Sequence, residues 1–387
     1  MFHRGYWLVT SLYLVIVAGL SSFELVLLGT VMGVTMLATE VPAGVMADTI
    51  SRKWSLVVGH VLMGSGMVMT GLVTDVPLVL STQVLWGLGW AFSSGADVAW
   101  ITDELDRPDR IARVLAMRAR WEQGGTAVGI VAFGALAWVT DLATSIVVSG
   151  VAMVLLGLLV VARMPERRFT PTRERRWRES VSIFRRGVAL ARRDREILVV
   201  FAATGLVNGG GEAFGRLYPK RLVELGLPTV PDPIVWFTAL GLVALAFGAV
   251  SLRIVEARID EVGSARHLYA AACFLGALGL LMLAHAPEDL SGMAGVLLFA
   301  GVGAPVTRAV GEIWVNRRVT SDVRATVHSF LSQVESFGEI VGGLAIGLLA
   351  QATDMSVALT CSCVLVAFAG VLVLRSRGDR LAGAPLA

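Results

Sequence analysis

The sequence predicts an all-helical protein that crosses a membrane twelve times. Of its 387 residues, 55% are hydrophobic and 16% are charged, whereas soluble domains carry roughly a quarter charged residues. Apolar runs suited to spanning helices, which need ~20 residues in lipid, recur along the whole chain. Their centres lie near residues 11, 34, 64, 90, 130, 153, 206, 245, 277, 303, 337 and 364. Basic and acidic loops alternate between these runs, as expected when successive loops lie on opposite sides of a bilayer.

The charge distribution predicts the orientation of the chain. Residues 163–195 hold twelve arginines against four acids, and the other basic loops fall on the same side if the helices alternate. The opposite loops are mostly acidic, with Lys220 and Arg221 as the main exceptions. By the positive-inside rule, we expect both termini and the central loop in the cytoplasm, with the protein in the inner or plasma membrane. The membrane accounts for the arginines, so a nucleic-acid partner is not expected.

An internal repeat predicts two six-helix bundles. At a shift of 213 residues, three glycines of the fifth run coincide with three of the eleventh: Gly125, Gly129 and Gly134 with Gly338, Gly342 and Gly347. The expected bundles are residues 1–164 and 196–387, joined by a basic linker at 165–195. The linker is expected to be an interfacial helix on anionic inner-leaflet lipids or, alternatively, a solvated spacer.

The repeat also indicates a short first helix. Leu12-Tyr13 correspond to Leu217-Tyr218, yet only twelve residues precede Tyr13, whereas the seventh run begins about twenty residues before Tyr218. The first helix therefore lacks roughly ten residues at its N-terminus relative to its copy. A start codon placed too late and a short helix accommodated by local thinning of the bilayer both explain this.

A charged motif lies where the second apolar run ends, at Gly44 to Lys53 (GVMADTISRK). It resembles the loop between helices 2 and 3 of the major facilitator superfamily, with Gly44, Asp48, Arg52 and Lys53 in the matching positions and Ser51 where glycine is more usual. A degenerate copy of this motif aligns with residues 260–263. The resemblance extends over nearly all of the chain and implies two parallel bundles that work by alternating access. In the family this loop stabilises the outward-facing state; an ordinary positive-inside turn is the alternative.

Charged residues inside the apolar runs are the candidate proton and substrate sites, because each costs ~2.5–3.5 kcal/mol at the bilayer centre unless it is paired or wetted. An amide, an acid and a base recur every four residues on the seventh run, and two acids one turn apart on the eleventh are placed to share a proton. Glycines at 209–211 and the GVGAP stretch at 301–305 predict weakened helix nearby. Structural pairing between helices is the alternative for each acid. The candidates are Glu40, Asp97, Glu122, Asn208, Glu212, Arg216, Arg308, Glu312, Glu335 and Glu339.

The resemblance implies a secondary transporter of a small solute, with proton-coupled export as the expected activity and a monomer as the expected state. An ATP-driven pump is excluded, because a phosphate-binding loop needs the sequence Gly-Lys-Ser/Thr. The two lysines of the chain, Lys53 and Lys220, do not belong to such a sequence. No nucleophile, metal or cofactor pattern indicates an enzyme. An importer and a non-transporting sensor or scaffold of the same fold are the alternatives. Gln83 stands where many proton-coupled exporters have arginine, four residues before Gly87, which weakens a multidrug-efflux interpretation.

The predicted topology can be tested with single cysteines at Thr49 and Arg176 in a chain whose native cysteines are replaced. On intact cells, a thiol reagent that cannot cross lipid should label neither position until the membrane is permeabilised. A cysteine at Glu288, in a predicted outer loop, is the positive control. Labelling at Thr49 or Arg176 without permeabilisation would invert the orientation.

Overall fold

The computed structural model describes residues 2–105, 107–171, 194–259, 264–319 and 321–376. The described part of the chain is helical and contains no strand. Its elements are α1 (Phe2–Ile16), α2 (Ser22–Thr49), α3 (Arg52–Leu72), α4 (Val76–Ser93), α5 (Ala96–Leu105), α6 (Pro108–Val139), α7 (Leu142–Arg163), α8 (Arg195–Glu224), α9 (Pro233–Arg258), α10 (Ser264–Ala284), α11 (Asp289–Leu298), a π-helical segment (Phe299–Gly303), α12 (Ala304–Arg318), α13 (Ser321–Ala352) and α14 (Met355–Arg375). The predicted interfacial helix in the linker and the second loop motif at 260–263 lie outside the described residues.

The helices confirm the prediction of a multi-spanning membrane protein. All twelve predicted run centres lie in helix. Among the described residues, ten segments are long and apolar enough to cross a membrane, with α4–α5 and α11–α12 each forming one segment. The first helix is a shorter apolar helix at Gly5–Ile16. The fifth run lies in α6, where Glu122 and several glycines lower the hydropathy.

The acidic residues of the predicted outer loops begin helices. Asp141 accepts hydrogen bonds from the backbone N–H and the hydroxyl of Thr144, at 2.8 and 2.6 Å. These bonds, the side-chain one above all, hold the pKa of Asp141 below its usual value. Asp354 caps α14 in the same way through the Val357 N–H, at 2.9 Å. Each carboxylate thus satisfies an N–H group that a helix N-terminus leaves without an intrahelical partner.

Contacts between residues divide the chain into two compact units. Unit 1 contains the described residues of Met1–Leu20, Val31–Trp177 and Pro228–Gly241; unit 2 contains those of Ser21–Thr30, Arg178–Leu227 and Leu242–Ala387. The beginning of α2 is therefore grouped with unit 2, and the beginning of α9 with unit 1. The sequence boundaries at 164 and 196 stay a prediction.

The repeated glycines mark the close approach of two helices in each unit. In unit 1, a Cβ at Gly5 of α1 would overlap the carbonyl oxygen of Gly129 in α6. In unit 2, a Cβ at Gly342 of α13 would lie 2.5 Å from the Cα of Gly209 in α8. Small residues of this kind allow backbones to approach where lipid provides no hydrophobic drive for helix association. The two copies of the repeat therefore form equivalent helix contacts.

The two predicted helix breaks have different outcomes. Glycines 209–211 do not interrupt α8, which is continuous over Arg195–Glu224; Gly209 instead allows the approach of α13, and Gly210 that of α14. The GVGAP stretch does disturb its helix, because the π-helical segment lies at Phe299–Gly303. There, the Ser251 hydroxyl donates to the Gly301 carbonyl at 3.2 Å.

The glycine contacts predict a difference between two glycine-to-alanine variants. Gly342→Ala should lower the thermal unfolding midpoint in lipid nanodiscs, because the added methyl meets the backbone of Gly209 and overpacking costs ~1–3 kcal/mol. Gly215→Ala on α8 is the matched control, since no atom from outside its own stretch of helix lies within 4 Å of its Cβ position. It should keep or raise the midpoint, because alanine is the better helix former by ~1 kcal/mol. Equal midpoints for the two variants would contradict the glycine contact.

Candidate functional site

Glu335 and Glu339 lie on the same side of α13, one turn apart, and both are half-buried. The exposed apolar residues of this helix, Phe337, Val341 and Leu348, lie on the opposite side by helical spacing. A side of α13 suited to lipid is thus separated from a side that carries carboxylates. The acids therefore lie on the side of α13 away from its exposed apolar residues.

The seventh predicted helix, α8, brings an ion pair to these acids. Arg216 Nε donates to Glu212 Oε1 at 2.8 Å, and the arginine side chain is 7% exposed. Gly29 and Gly343 flank the pair: a Cβ at Gly29 would overlap Glu212 Oε1, and one at Gly343 would lie 3.2 Å from Glu212 Cγ. Asn208, one turn earlier, donates to the Thr204 carbonyl at 2.9 Å. The predicted pair of Glu212 and Arg216 therefore forms in a space left by two glycines.

The tenth predicted span contributes Arg308 and Glu312 from α12. Both are exposed, and no ion pair within 4 Å joins them among the described contacts of this helix. Both instead interact electrostatically with Glu335. Glu339 interacts with Glu212, Arg308, Glu335 and Arg216. Six of the predicted site residues thus form one electrostatic group in unit 2, which we call the acid–arginine cluster: Glu212, Arg216, Arg308, Glu312, Glu335 and Glu339.

The candidate acids of unit 1 are arranged separately. Arg118 on α6 binds Asp97 on α5, with Nε at 2.8 Å and Nη2 at 2.5 Å from the same carboxylate oxygen. Glu122, one turn along α6, lies 3.7 Å from Arg118. Glu40 is exposed on α2, and none of the described residues forms an ion pair or hydrogen bond with its side chain. Since these side chains are accessible, the pairs that these candidate acids form are weaker than the pair at Arg216.

The loop motif forms a compact network within unit 1. Ser51 caps α3 by accepting from the Trp54 N–H at 3.0 Å, which gives a reason for serine at this position. Arg52 lies 3.6 Å from Asp48, forms a short ion pair with Asp103 of α5 and donates to the Ala99 carbonyl at 2.7 Å. Gly44 adopts no positive φ and has open space at its Cβ position. The charged residues of the motif, and not its glycine, make the contacts.

Sequence reasoning missed two acids that complete this network. Glu166, at the start of the linker, accepts from the Ser51 hydroxyl at 2.5 Å and from the Lys53 N–H at 2.9 Å. Asp103 provides the partner of Arg52. The sequence signal for Asp103 is its place at the end of the same predicted span as Asp97. Nothing in the linker, where arginines dominate, distinguishes Glu166 from a solvated acid.

The acid–arginine cluster combines the groups that proton transfer through a membrane requires. It contains four carboxylates that can hold a proton and two guanidinium groups that stay charged. Intramembrane ionisable residues are costly unless they pair or contact water, and they commonly mark ion and proton pathways. Within the described residues, no group of histidine, cysteine and acidic side chains is arranged to hold a metal ion.

Known proteins resemble this chain over most of its length. The family model described as Major Facilitator Superfamily matches residues 3–261. An uncharacterized MFS-type transporter, YxaM of Bacillus subtilis (strain 168), is 20% identical over 336 residues, which are 85% of this chain and 81% of that protein.

Solved structures share the fold. The crystal structure of the nucleoside transporter NupG matches with a TM-score of 0.76 at 13% identity. The match covers 97% of this chain and 96% of the NupG chain. A POT family transporter in complex with 5-aminolevulinic acid has a TM-score of 0.72 at 11% identity, with 96% and 94% covered.

The buried pair on α8 predicts a strong asymmetry between single and double variants. Glu212→Gln should lower the unfolding free energy by ~3–5 kcal/mol, because Arg216 is buried and loses the carboxylate that pairs with it. The double variant Glu212→Gln/Arg216→Met should recover much of that loss. Chemical unfolding in nanodiscs provides the measurement, and Glu122→Gln, in the exposed pair with Arg118, is the control, with less than ~1 kcal/mol expected. Additive losses in the double variant would show that the pair contributes nothing.

Proposed function

The chain belongs to the major facilitator superfamily and is a membrane transporter; we propose that it moves a small solute by alternating access in exchange for protons, in the direction of export. The acid–arginine cluster carries the proposal. A secondary transporter needs a group whose protonation changes during the cycle, and the cluster supplies two adjacent carboxylates within reach of two fixed cations. The proposed location is the cell membrane, with both termini in the cytoplasm.

Glu339 is the proton carrier that we propose. Its carboxylate interacts with two other acids, Glu212 and Glu335, and with two arginines, Arg308 and Arg216. Two carboxylates that share one site cannot both ionise without a cost, so a proton binds there readily and leaves when the arginines approach or the site becomes wetter. Glu335 is the second member of the pair. Glu212 is committed to its ion pair with Arg216.

Exchange of solute for protons and co-transport of solute with protons change the pH inside a vesicle in opposite directions. In proteoliposomes loaded with the pH dye pyranine and clamped with potassium and valinomycin, a panel of neutral and cationic aromatic solutes is added outside. Proton exchange makes the interior alkaline as solute enters, whereas co-transport, expected of an importer, makes it acidic. A sensor or scaffold would bind solute without any pH change. The proposed exporter therefore predicts alkalinisation.

A solute that causes a proton flux in this assay can then be used to test Glu339 as the proton carrier. Glu339→Gln should reduce this flux at least tenfold, since the amide cannot exchange a proton, while exchange of labelled for unlabelled solute continues. Glu335→Gln should reduce it as well. Glu288→Gln, an exposed acid before α11, is the matched control and should transport as the unmodified protein does. Undiminished proton flux in both Glu339→Gln and Glu335→Gln would remove the cluster as the coupling site.

A further inference from the structure

Unit 1 contains a cluster of four aromatic rings that the charged sites do not use. Trp86 and Trp90 of α4 stack with ring centroids 5.7 Å apart and an interplanar angle of 12°. Trp7 of α1 meets Trp86 edge to face at 5.7 Å, and Tyr6 stacks on Trp86 at 6.3 Å. We call these residues, Tyr6, Trp7, Trp86 and Trp90, the aromatic wall.

The aromatic wall belongs to the inner side of α4. Gln83, Trp86 and Trp90 follow each other at i, i+3 and i+7 and therefore share one side of the helix. The exposed residues Leu78 and Val84 lie on the other side. Trp90 is nevertheless 37% exposed. The accessible face of Trp90 is therefore separate from the exposed aliphatic side of α4.

The first helix extends the same accessible surface. From Gly5 to Val15, α1 is buried except along a stripe of half-buried residues at Trp7, Ser11 and Val15. These residues are four apart and so lie in one row along the helix. Trp7, which contacts Trp86, begins this row. The buried Trp86 ring therefore lies in contact with the accessible rings of both Trp7 and Trp90.

Buried hydroxyl groups hold Tyr6, one member of the wall, in place. Tyr6 donates to Thr70 of α3 at 3.2 Å, and Thr70 donates to Thr82 of α4 at 2.8 Å. Gln83 donates to the same Thr82 hydroxyl at 3.2 Å. Thr70, Thr82 and Gln83 are all at most 4% exposed. This buried network fixes the Tyr6 ring, on which Trp86 stacks, before a ligand arrives, which lowers the entropy lost on binding.

One donor in the wall lacks a partner. The Trp86 indole N–H is buried and finds no acceptor among the described residues. A buried donor left without an acceptor costs ~1–3 kcal/mol. The Trp86 ring stacks on the accessible ring of Trp90. An acceptor atom on a molecule bound at this stack would satisfy the donor.

We propose that the aromatic wall binds a neutral, planar aromatic ring that carries a hydrogen-bond acceptor, as the recognition element of the transported solute. This inference rests on the proposed transport function and names its substrate class. Offset stacking on Trp90 supplies the attraction for the ring, and the Trp86 N–H supplies the polar contact. None of the residues of the wall, nor Gln83, carries a charge that would form an ion pair with the solute.

Coumarin and octahydrocoumarin form a matched pair of probes. Both are neutral and carry the same lactone acceptor, and the second is saturated and not planar. Binding of 7-methoxycoumarin to the purified protein in nanodiscs is followed by emission excited through tryptophan, with empty nanodiscs as the blank. Coumarin should displace this probe at least tenfold more effectively than octahydrocoumarin. Equal displacement by the two, or no saturable binding of the probe, would overturn the inference.

Variants of the wall locate the binding. Trp90→Leu should weaken coumarin about tenfold (~1.4 kcal/mol), whereas Trp90→Phe, which keeps a ring, should stay within about threefold. Trp138→Leu, which removes an exposed tryptophan on α6, is the control and should leave the affinity unchanged. An unchanged affinity in Trp90→Leu would also overturn the inference. Because the assay measures binding alone, tight coumarin binding without proton flux would refute the proposed transport and leave the aromatic site standing.

Discussion

The cost of placing charge in lipid is the constraint on which this structure depends. An ionised side chain near the bilayer centre must be paired or contact water. In unit 2 this requirement is met by the ion pair of Arg216 with Glu212 and by the placement of Glu335 and Glu339 opposite the apolar side of α13. Pairing within the cluster thus lowers the cost of burying its charges. The same groups can release or accept a proton when their pairing changes.

Close helix contact makes this arrangement possible. The Glu212 carboxylate fits because Gly29 and Gly343 have no side chains, and Gly342 allows α13 to approach α8 at Gly209. A methyl group at any of these positions would displace either the backbone or the acid. The glycines thus determine where the charges can be buried. These glycines recur because the helices must pack closely, and not because the backbone must be flexible. The uninterrupted helix α8, which contains Gly209, supports this explanation.

Much of the fold could be predicted from the sequence, because periodic apolar runs and repeated glycines are local signals. The Glu212–Arg216 pair was predictable for the same reason, since its residues lie one turn apart on one helix. Contacts between distant segments were not. Glu166 bonds to Ser51 across 115 positions, and the Tyr6 hydroxyl to Thr70 across 64. Arg221, an exception to the charge pattern, binds the carbonyls of Leu283 and Ala284 at the end of α10. Such partners depend on helix packing, which composition and spacing do not encode.

The two units hold different chemistry despite their common origin in a repeat. Unit 2 groups carboxylates and arginines on α8, α12 and α13, whereas α1 and α4 of unit 1 carry indole rings next to a hydroxyl network, with Gln83 in place of a charged residue. A planar neutral ring gains nothing from the charges of unit 2, and a proton finds no acceptor of suitable basicity among the rings of unit 1. If solute and proton bind in different units, they do not compete for one site. Exchange between them must then arise because each stabilises a different conformation of the transporter, since ligands affect one another only through the states that they favour. The equilibrium between these conformations, and not the binding residues alone, would then determine how tightly solute and proton movements are coupled.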